Sequence, residues 1–336
     1  MINKEENNIK IFGLSGSKNL IKKIQEKSDF NIGEIETIKF ADGEIMVKLN
    51  ESVRGNDVVL IQSTNNPVNE KFMELLIAID ACKRASAKTI NVIIPYFAYS
   101  RQDRKSKPRE PITFKLIANM LETAGATRIL TFDIHSPQTQ GFFDIPFDSL
   151  EANWLLLNEF INKTKIKEFS IVAPDYGSIK RSRDISQELG MPLVIVDKRR
   201  PRPNEVEISN ILGDCKNQDC VIVDDMIDTG GTMLACSKLL KDKGAKSVSV
   251  LVTHALFNND ALAKFEDAVK KGIINNIIVS DTIERQKLSF INVTSIDDFL
   301  IQIIKIFSGS ANSMSEVIMS YKSNIKNKLH QIIKKN

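Results

Sequence analysis

Apolar runs of strand length alternate with stretches of helical period along most of this 336-residue chain. That alternation restricts the fold to βαβ units with largely parallel sheets, an α/β class. Strands are predicted at 10–14, 58–62, 89–94, 128–132, 170–173, 193–196, 221–223, 248–252 and 277–280. Helices are predicted at 67–84, 111–124, 178–189, 232–243 and 298–307. At roughly 150 residues per domain, the length suits two domains, each able to bury its own core. The shares of hydrophobic (42%) and charged (26%) residues are ordinary for a globular chain and favour neither disorder nor a fibrous class.

The two halves carry a common pattern. Gly125-Ala126 opens a run that ends at His135, and Gly244-Ala245 opens one that ends at His254, with a shared offset of 119. Each Gly-Ala pair follows an amphipathic helix, where glycine suits a left-handed C-cap before an apolar strand. Chance likeness between two βαβ units is the competing explanation. Under duplication, the short strand-to-helix loop before Gly231 corresponds to a long one at 95–110, filled with basic and polar residues. A boundary near 148–152 gives domains 1–150 and 151–307, with 308–336 as a tail that is partly regulatory or disordered.

The N-terminus MINKEENNIK has no apolar core, and no segment reaches the ~18 apolar residues needed to span a bilayer. The expected setting is cytoplasmic, with no membrane partner. Cys82, Cys215, Cys220 and Cys236 form neither a CxxC pair nor a secreted disulfide framework, which fits a reduced compartment. A net charge of +4 is too small to imply nucleic acid, but basic residues cluster at 101–109 and 198–202 and point to a small anionic ligand. Composition alone does not separate this from a solvated face or a nucleic-acid patch.

The segment VIVDDMIDTGGT, 221–232, carries the most specific chemistry. A strand runs into Asp224 and Asp225, then into Asp228, Thr229, Gly230, Gly231 and Thr232 before a helix. Glycines admit backbone N–H groups to a phosphate, the threonine hydroxyls add donors, and a helix start supplies favourable partial charge. The acidic pair suits the 2- and 3-hydroxyls of a ribose. A capped helix after a tight turn is the plain alternative, but it requires neither paired aspartates nor the whole loop. No GK[ST] follows, so this is not a Walker A loop.

The arm YSRQDRKSKPRE, 99–110, is too polar for a core. It reads either as a solvated loop or as a lid whose Arg101, Gln102 and Arg104 meet a polyphosphate, guanidinium groups being bidentate partners of phosphate oxygens. In DKRRPRPN, 197–204, prolines keep the segment out of helix and sheet, and its cations suit a phosphoryl group in transfer. His135 and Asp175 fall at or just past strand ends and are candidates for a divalent metal, although a lone histidine is more often structural.

Taken in order, these segments resemble the ribose-phosphate pyrophosphokinases, or phosphoribosyl-pyrophosphate synthetases, of the common bacterial type. The likeness extends from about 9 to about 307 and includes FADGE, NESVRG, MELLIAIDACKRASA, SRQDRKSKPREPIT, DIHSPQTQGFFDIP, DKRRPRPN and VDDMIDTGGT. It implies two similar phosphoribosyltransferase-like domains, each a mostly parallel sheet flanked by helices. It also implies transfer of the pyrophosphoryl group of ATP to the 1-hydroxyl of ribose 5-phosphate, with Mg²⁺ as cofactor. By motif position, Phe40, Asp42, Gly43, Glu44, Arg101, Gln102 and Arg104 would bind ATP, the FADGE residues from across a subunit boundary. His135 and Asp175 would help hold Mg²⁺. Lys198 would be the main catalytic cation, with Arg200 at the sugar phosphate or transition state. Asp224, Asp225, Asp228, Thr229, Gly230, Gly231 and Thr232 would bind ribose 5-phosphate. The resemblance further implies a homo-oligomer, commonly a hexamer, with phosphate and ADP as effectors acting near Arg54, Lys83, Arg84, Ser313 and Ser315.

The chain departs from the family pattern in places. Ser178 stands where a second glycine is usual, ALFNND replaces a proline and a Ser-Gly pair after His254, and 283–307 matches weakly. A lysine-rich extension follows Ser313-Met314-Ser315 and reads as a solvated tail, a helix and a partner contact being the alternatives. Two other functions compete. A phosphoribosyltransferase would share VDDMIDTGGT but has no need of FADGE or RQDR. A non-catalytic regulatory homologue would have no need of Lys198, Arg200, His135 and Asp175.

Overall fold

The computed structural model describes residues 9–199, 207–309 and 313–333. They form two compact units. The first comprises Met1–Glu151, Thr282–Glu284 and Ile296–Val317. Its sheet is parallel throughout, in the order β1 (Ile9–Gly13), β4 (Asp57–Ile61), β5 (Thr89–Ile94), β6 (Arg128–Phe132), β7 (Phe147–Leu150). A separate antiparallel ribbon pairs β2 (Ile35–Lys39) with β3 (Ile45–Leu49). The helices α1 (Lys18–Lys27), α2 (Val68–Arg84) and α3 (Thr113–Ala124) lie between the strands in the chain.

Residues three or four apart decide which helix face is buried. Phe72, Leu75, Ile79 and Cys82 on α2, and Phe114, Ile117 and Leu121 on α3, join Leu60, Val92 and Ile94 of the sheet in one core. Phe114 sits among the rings of Phe97, 4.8 Å away, and Phe143, 6.0 Å away. Its full burial contributes about 1.5–3 kcal/mol by apolar transfer.

The second unit comprises Ala152–Asp281, Arg285–Ser295 and Ile318–Asn336. After α4 (Asn153–Thr164), the chain gives β8 (Ser170–Ala173), α5 (Ile179–Leu189), β9 (Leu193–Arg199), β10 (Glu207–Leu212), β11 (Asp219–Ile227), α6 (Gly231–Asp242), β12 (Ser247–Ala255), α7 (Ala261–Lys270), β13 (Asn276–Ser280) and β14 (Asn292–Thr294). The sheet order is β10-β9-β8-β11-β12-β13-β14, parallel except for β10 on the edge. Residues 220–223 of β11 are all buried, which is why they read as an apolar run without alternation.

The internal repeat is structural. Gly125 and Gly244 both have positive φ after a helix, at +123° and +88°. The next N–H returns to the helix in the same way, Ala126 to Leu121 O at 3.1 Å and Ala245 to Leu240 O at 2.9 Å. These are the six-residue closures of a Schellman-type helix end. The strands β6 and β12 then start at Arg128 and Ser247, retaining the offset of 119.

Two segments correct the sequence reading. The helix α8 (Asp297–Phe307), assigned to the 151–307 domain, packs with the first unit: Lys27 on α1 pairs with Asp297 at 3.0 Å, and Phe299 meets Phe132 at 5.7 Å. Apolar patterning locates a helix but not the sheet it covers. The lysine-rich extension is not a solvated tail either, since α9 (Met314–Ile333) buries Ile325 and Leu329 in the core cluster of Leu157, Phe160 and Val221. Its described lysines lie against polar and aromatic partners: Lys322 over the Trp154 ring, Lys326 on Glu188, and Lys328 on Asn158 and Asn162. No helix among the described residues is long and apolar enough to cross a membrane.

Candidate active site

In the second unit, β11 lies between β8 and β12, both parallel to it, so its carboxyl end opens where ligands collect in α/β sheets. The sequence reading ended this strand at 223 and put both aspartates in the loop. β11 instead continues along β12, pairing Asp224 with Val252, Met226 with His254 and Ile227 with Ala255. Asp224 and Asp225 are therefore strand residues, and only 228–230 connect to α6.

Two carboxylates side by side, Asp225 buried and Asp224 nearly so, require a cation, and α5 supplies it. Arg181 Nη1 lies 3.0 Å from Asp224 Oδ1 and 3.5 Å from Asp225 Oδ1. The Asp225 N–H also donates to Asp224 Oδ1 at 3.0 Å. Burial, and behind it the charge of Asp225, holds the Asp224 carboxyl well above the ordinary carboxylate range, with Arg181 acting the other way. Sequence reasoning missed Arg181. The signal was the unneutralised Asp-Asp pair, but α5 also offers Lys180 and Arg183, and only the helix phase selects among them.

The connecting loop is held from the side. Gly230 has φ +77°, and a Cβ there would lie 2.3 Å from the Phe265 ring, so only glycine fits. The chain leaving β12 lies alongside it. Leu256 and Phe257 N–H groups both donate to Ile227 O at 3.0 Å, and Asn258 donates from its backbone to Asp228 O at 3.0 Å. The Asn258 side chain donates to Asp228 Oδ1 at 2.7 Å. α6 starts at Gly231, so the cradle sits where the N–H groups of a first helical turn have no acceptor within the helix. The loop after β1 is chemically different: Ser15 N–H donates to buried Glu74, Gly16 N–H to Gln62 Oε1 and Ser17 N–H to Leu14 O, which commits three amides to protein acceptors.

Asp175 follows β8 in a turn closed by Ser178. The Ser178 N–H donates to Asp175 Oδ1 at 3.1 Å, and its hydroxyl donates to Asp175 O at 2.9 Å. With φ −87° and ψ −6°, Ser178 needs none of glycine's freedom, and its side chain adds a tie to the turn. Asp175 also faces Asp224 closely enough for its charge to act there. In the first unit, exposed His135 is presented by a bend in which Ile134 N–H donates to Ser149 Oγ at 3.1 Å. Among the described residues, no three His, Cys, Asp or Glu side chains converge to hold a metal.

The cationic segment 197–204 also departs from expectation. β9 runs through Asp197, Lys198 and Arg199, with Lys198 opposite Ile208 of β10, so strand pairing outlasts the predicted end at 196. Arg200 lies outside the described residues.

In the first unit, FADGE forms the tip of the β2–β3 ribbon. Phe40 N–H donates to Glu44 O at 2.8 Å, Gly43 N–H to Phe40 O at 3.0 Å, and Glu44 N–H to Asp42 Oδ1 at 3.1 Å. All five tip residues are exposed, including the Phe40 ring. The arm at 99–110 folds back on itself, because Glu110 Oε2 accepts Ser106 N–H at 2.9 Å and Lys107 N–H at 2.8 Å. Gln102 is anchored by Thr113 at 2.6 Å, while Arg101 and Arg104 are exposed. Arg54 reaches Ser86 Oγ at 3.4 Å, which brings it beside the turn after Lys83 and Arg84. Lys83 donates to Thr123 O, and Arg84 pairs with Asp80. Ser313 Oγ accepts Glu316 N–H at 3.2 Å at the start of α9, with Ser315 exposed beside it.

The parallel sheet and the strand-borne acidic pair before the glycine turn define the second unit as a phosphoribosyltransferase-type domain. Residues 154–286 match the family described as the phosphoribosyl transferase domain, and residues 9–125 match the N-terminal domain of ribose phosphate pyrophosphokinase. The chain belongs to the ribose-phosphate pyrophosphokinase family. It is 53% identical over 314 residues to a ribose-phosphate pyrophosphokinase of Ureaplasma parvum, covering 93% of this chain and 95% of that one. It is 49% identical to that of Mycoplasma genitalium, over 91% of this chain and 92% of that one. The crystal structure of phosphoribosylpyrophosphate synthetase from Mycobacterium smegmatis is similar to it, with a TM-score of 0.82 and 34% identity over 90% of this chain and 99% of that one.

Proposed function

We propose that the chain transfers the pyrophosphoryl group of ATP to the 1-hydroxyl of ribose 5-phosphate, giving phosphoribosyl pyrophosphate and AMP. The observation that carries this reading is the acidic pair on β11 leading through Gly230 into α6, in a chain of this family. Asp224 and Asp225 accept hydrogen bonds from the ribose hydroxyls, and 228–232 surround the 5-phosphate. The ribose 1-oxygen attacks the β-phosphorus as the bond from that phosphorus to the α–β bridging oxygen breaks and AMP leaves. Such a transfer needs alignment and charge neutralisation rather than a covalent protein nucleophile. Lys198 and Arg200 are proposed for that neutralisation, and Phe40, Asp42, Gly43, Glu44, Arg101, Gln102 and Arg104 for ATP.

Mg²⁺ commonly takes one or two protein ligands and completes its shell with water and substrate phosphates. The half-exposed Asp175 and exposed His135 suit that mode better than a closed protein cage. When bound with ATP, Mg²⁺ offsets phosphate charge and aligns the chain of phosphates. A cytoplasmic homo-oligomer, hexameric by family resemblance, is proposed, with the exposed FADGE tip serving a neighbouring subunit. Phosphate and ADP are proposed as effectors near Arg54, Lys83, Arg84, Ser313 and Ser315.

The purified chain with ATP and Mg²⁺ is expected to release AMP only when ribose 5-phosphate is present. Unphosphorylated ribose is expected to be poorer by at least about a hundredfold in kcat/KM, since it forgoes the cradle's charged contacts. Equal use of ribose would remove the cradle from the mechanism.

A further inference from the structure

We infer that Arg285 is a positioning residue for the ribose-phosphate loop, acting on it through residues 255–258; this rests on the reading of 228–232 as the acceptor site. Its guanidinium bridges two consecutive carbonyls, Nε donating to Ala255 O at 2.7 Å and Nη2 to Leu256 O at 2.6 Å. Its Cζ lies 4.6 Å from the centre of the Phe257 ring, within cation–π range. One side chain therefore holds three successive residues at the point where the chain leaves β12.

Those three residues lead directly to the loop. Leu256 and Phe257 donate to Ile227 O, and Asn258 donates from backbone and side chain to Asp228. The Phe257 ring stands edge-on to Phe265 at 5.2 Å, and Phe265 is the ring that leaves room only for glycine at 230. Phe257 also has φ +46°, a conformation that a bulky side chain keeps only where its surroundings impose it. Arg285 supplies such a constraint from both backbone and ring.

Arg285 lies in the connection between β13 and β14, so a residue nearly thirty positions beyond the turn fixes it from outside. A planar fork with several fixed N–H directions can bridge two carbonyls and lie on a ring, whereas an ammonium group cannot reproduce all three contacts.

The test compares Arg285→Ala, Arg285→Lys and Asn258→Ala in the full chain. Arg285→Ala is expected to raise the KM for ribose 5-phosphate roughly tenfold, the usual scale for losing hydrogen bonds to a charged group, and to leave the KM for ATP unchanged. Arg285→Lys should fall near the alanine variant, and Arg285→Ala with Asn258→Ala should cost less than the two effects multiplied, because both act along one chain of contacts. Full recovery by lysine, an equal rise in both KM values, or a lower Tm with both KM values unchanged would overturn the proposal. Should Arg285→Ala not fold, Arg285→Lys and Asn258→Ala are judged by the same comparison of KM values. A wild-type chain that forms no AMP contradicts the proposed activity instead. Calorimetric binding of ribose 5-phosphate to wild type and Arg285→Lys then decides the positioning role, weaker binding by the variant supporting it and equal binding ending it.

Discussion

Asp224 is held against its own preference for charge. Its carboxyl is mostly buried beside Asp225, and the guanidinium of Arg181 reaches both. Because its native pKa is raised, the folded state binds the proton more tightly than the unfolded chain does. The associated stability is complete below the ordinary carboxylate pKa of about 3.9 and is lost as pH rises through the native value. Asp224→Asn should therefore melt at a higher temperature than wild type at pH 7, with the gap closing toward pH 4, while its kcat/KM for ribose 5-phosphate falls about 10- to 100-fold through loss of a charged contact. Melting curves from pH 4 to 8 give the first result and initial rates the second; a variant less stable at pH 7 would mean that the carboxylate is better satisfied than its burial indicates. Gly230→Ala is expected to cost about 2 kcal/mol in thermal or urea unfolding, from its left-handed backbone and the Phe265 contact. The acidic pair and the glycines were legible because each is a local pattern. Arg181 was not, since Lys180, Arg181 and Arg183 differ only in the direction that helix phase gives them.

At the scale of elements, α9 shows how much of a polar tail's behaviour rests on a few apolar positions. Ile318, Tyr321, Ile325 and Leu329 recur at helical spacing and pack on the second unit's core, although lysines and other polar residues are interspersed among them. Ile325→Ala should destabilise this unit by about 2–5 kcal/mol. Lys326→Ala should cost less than about 1 kcal/mol, its pair with Glu188 being partly solvated. Urea unfolding of the two variants compares these directly, and equal losses would count against apolar docking as the main contribution. The β2–β3 ribbon was also missed, yet its signal was present: Asp42-Gly43 lies between alternating apolar residues, a strong hairpin pattern. Half-exposed strands such as β2 lack the continuous apolar runs that revealed the buried parallel ones. The reach of β9 and β11 beyond their apolar segments was hidden because a ladder is set by its partner strand's length.

The whole molecule combines two units whose repeated βαβ pattern was readable from Gly125-Ala126 and Gly244-Ala245. The placement of α8 was not, because residues nearly 300 positions into the chain return to the first unit's core. Neither unit stores an exposed thiol. Cys82, Cys215, Cys220 and Cys236 are free and buried, and burial pushes the thiols of Cys82 and Cys220 up to about 12. An aromatic disulfide reagent at pH 8 is expected to leave all four unmodified in the folded chain and to titrate all four after denaturation; rapid labelling of native protein would show that these cores open readily. Pyrophosphoryl transfer is distinguished from other phosphoryl chemistry by which phosphorus the ribose oxygen attacks. With ATP labelled at the β-phosphorus and ribose 5-phosphate, all transferred label should appear in the sugar pyrophosphate, with one unlabelled AMP formed for each product. Label in ADP, or turnover without AMP, would contradict pyrophosphoryl transfer at the β11–α6 cradle.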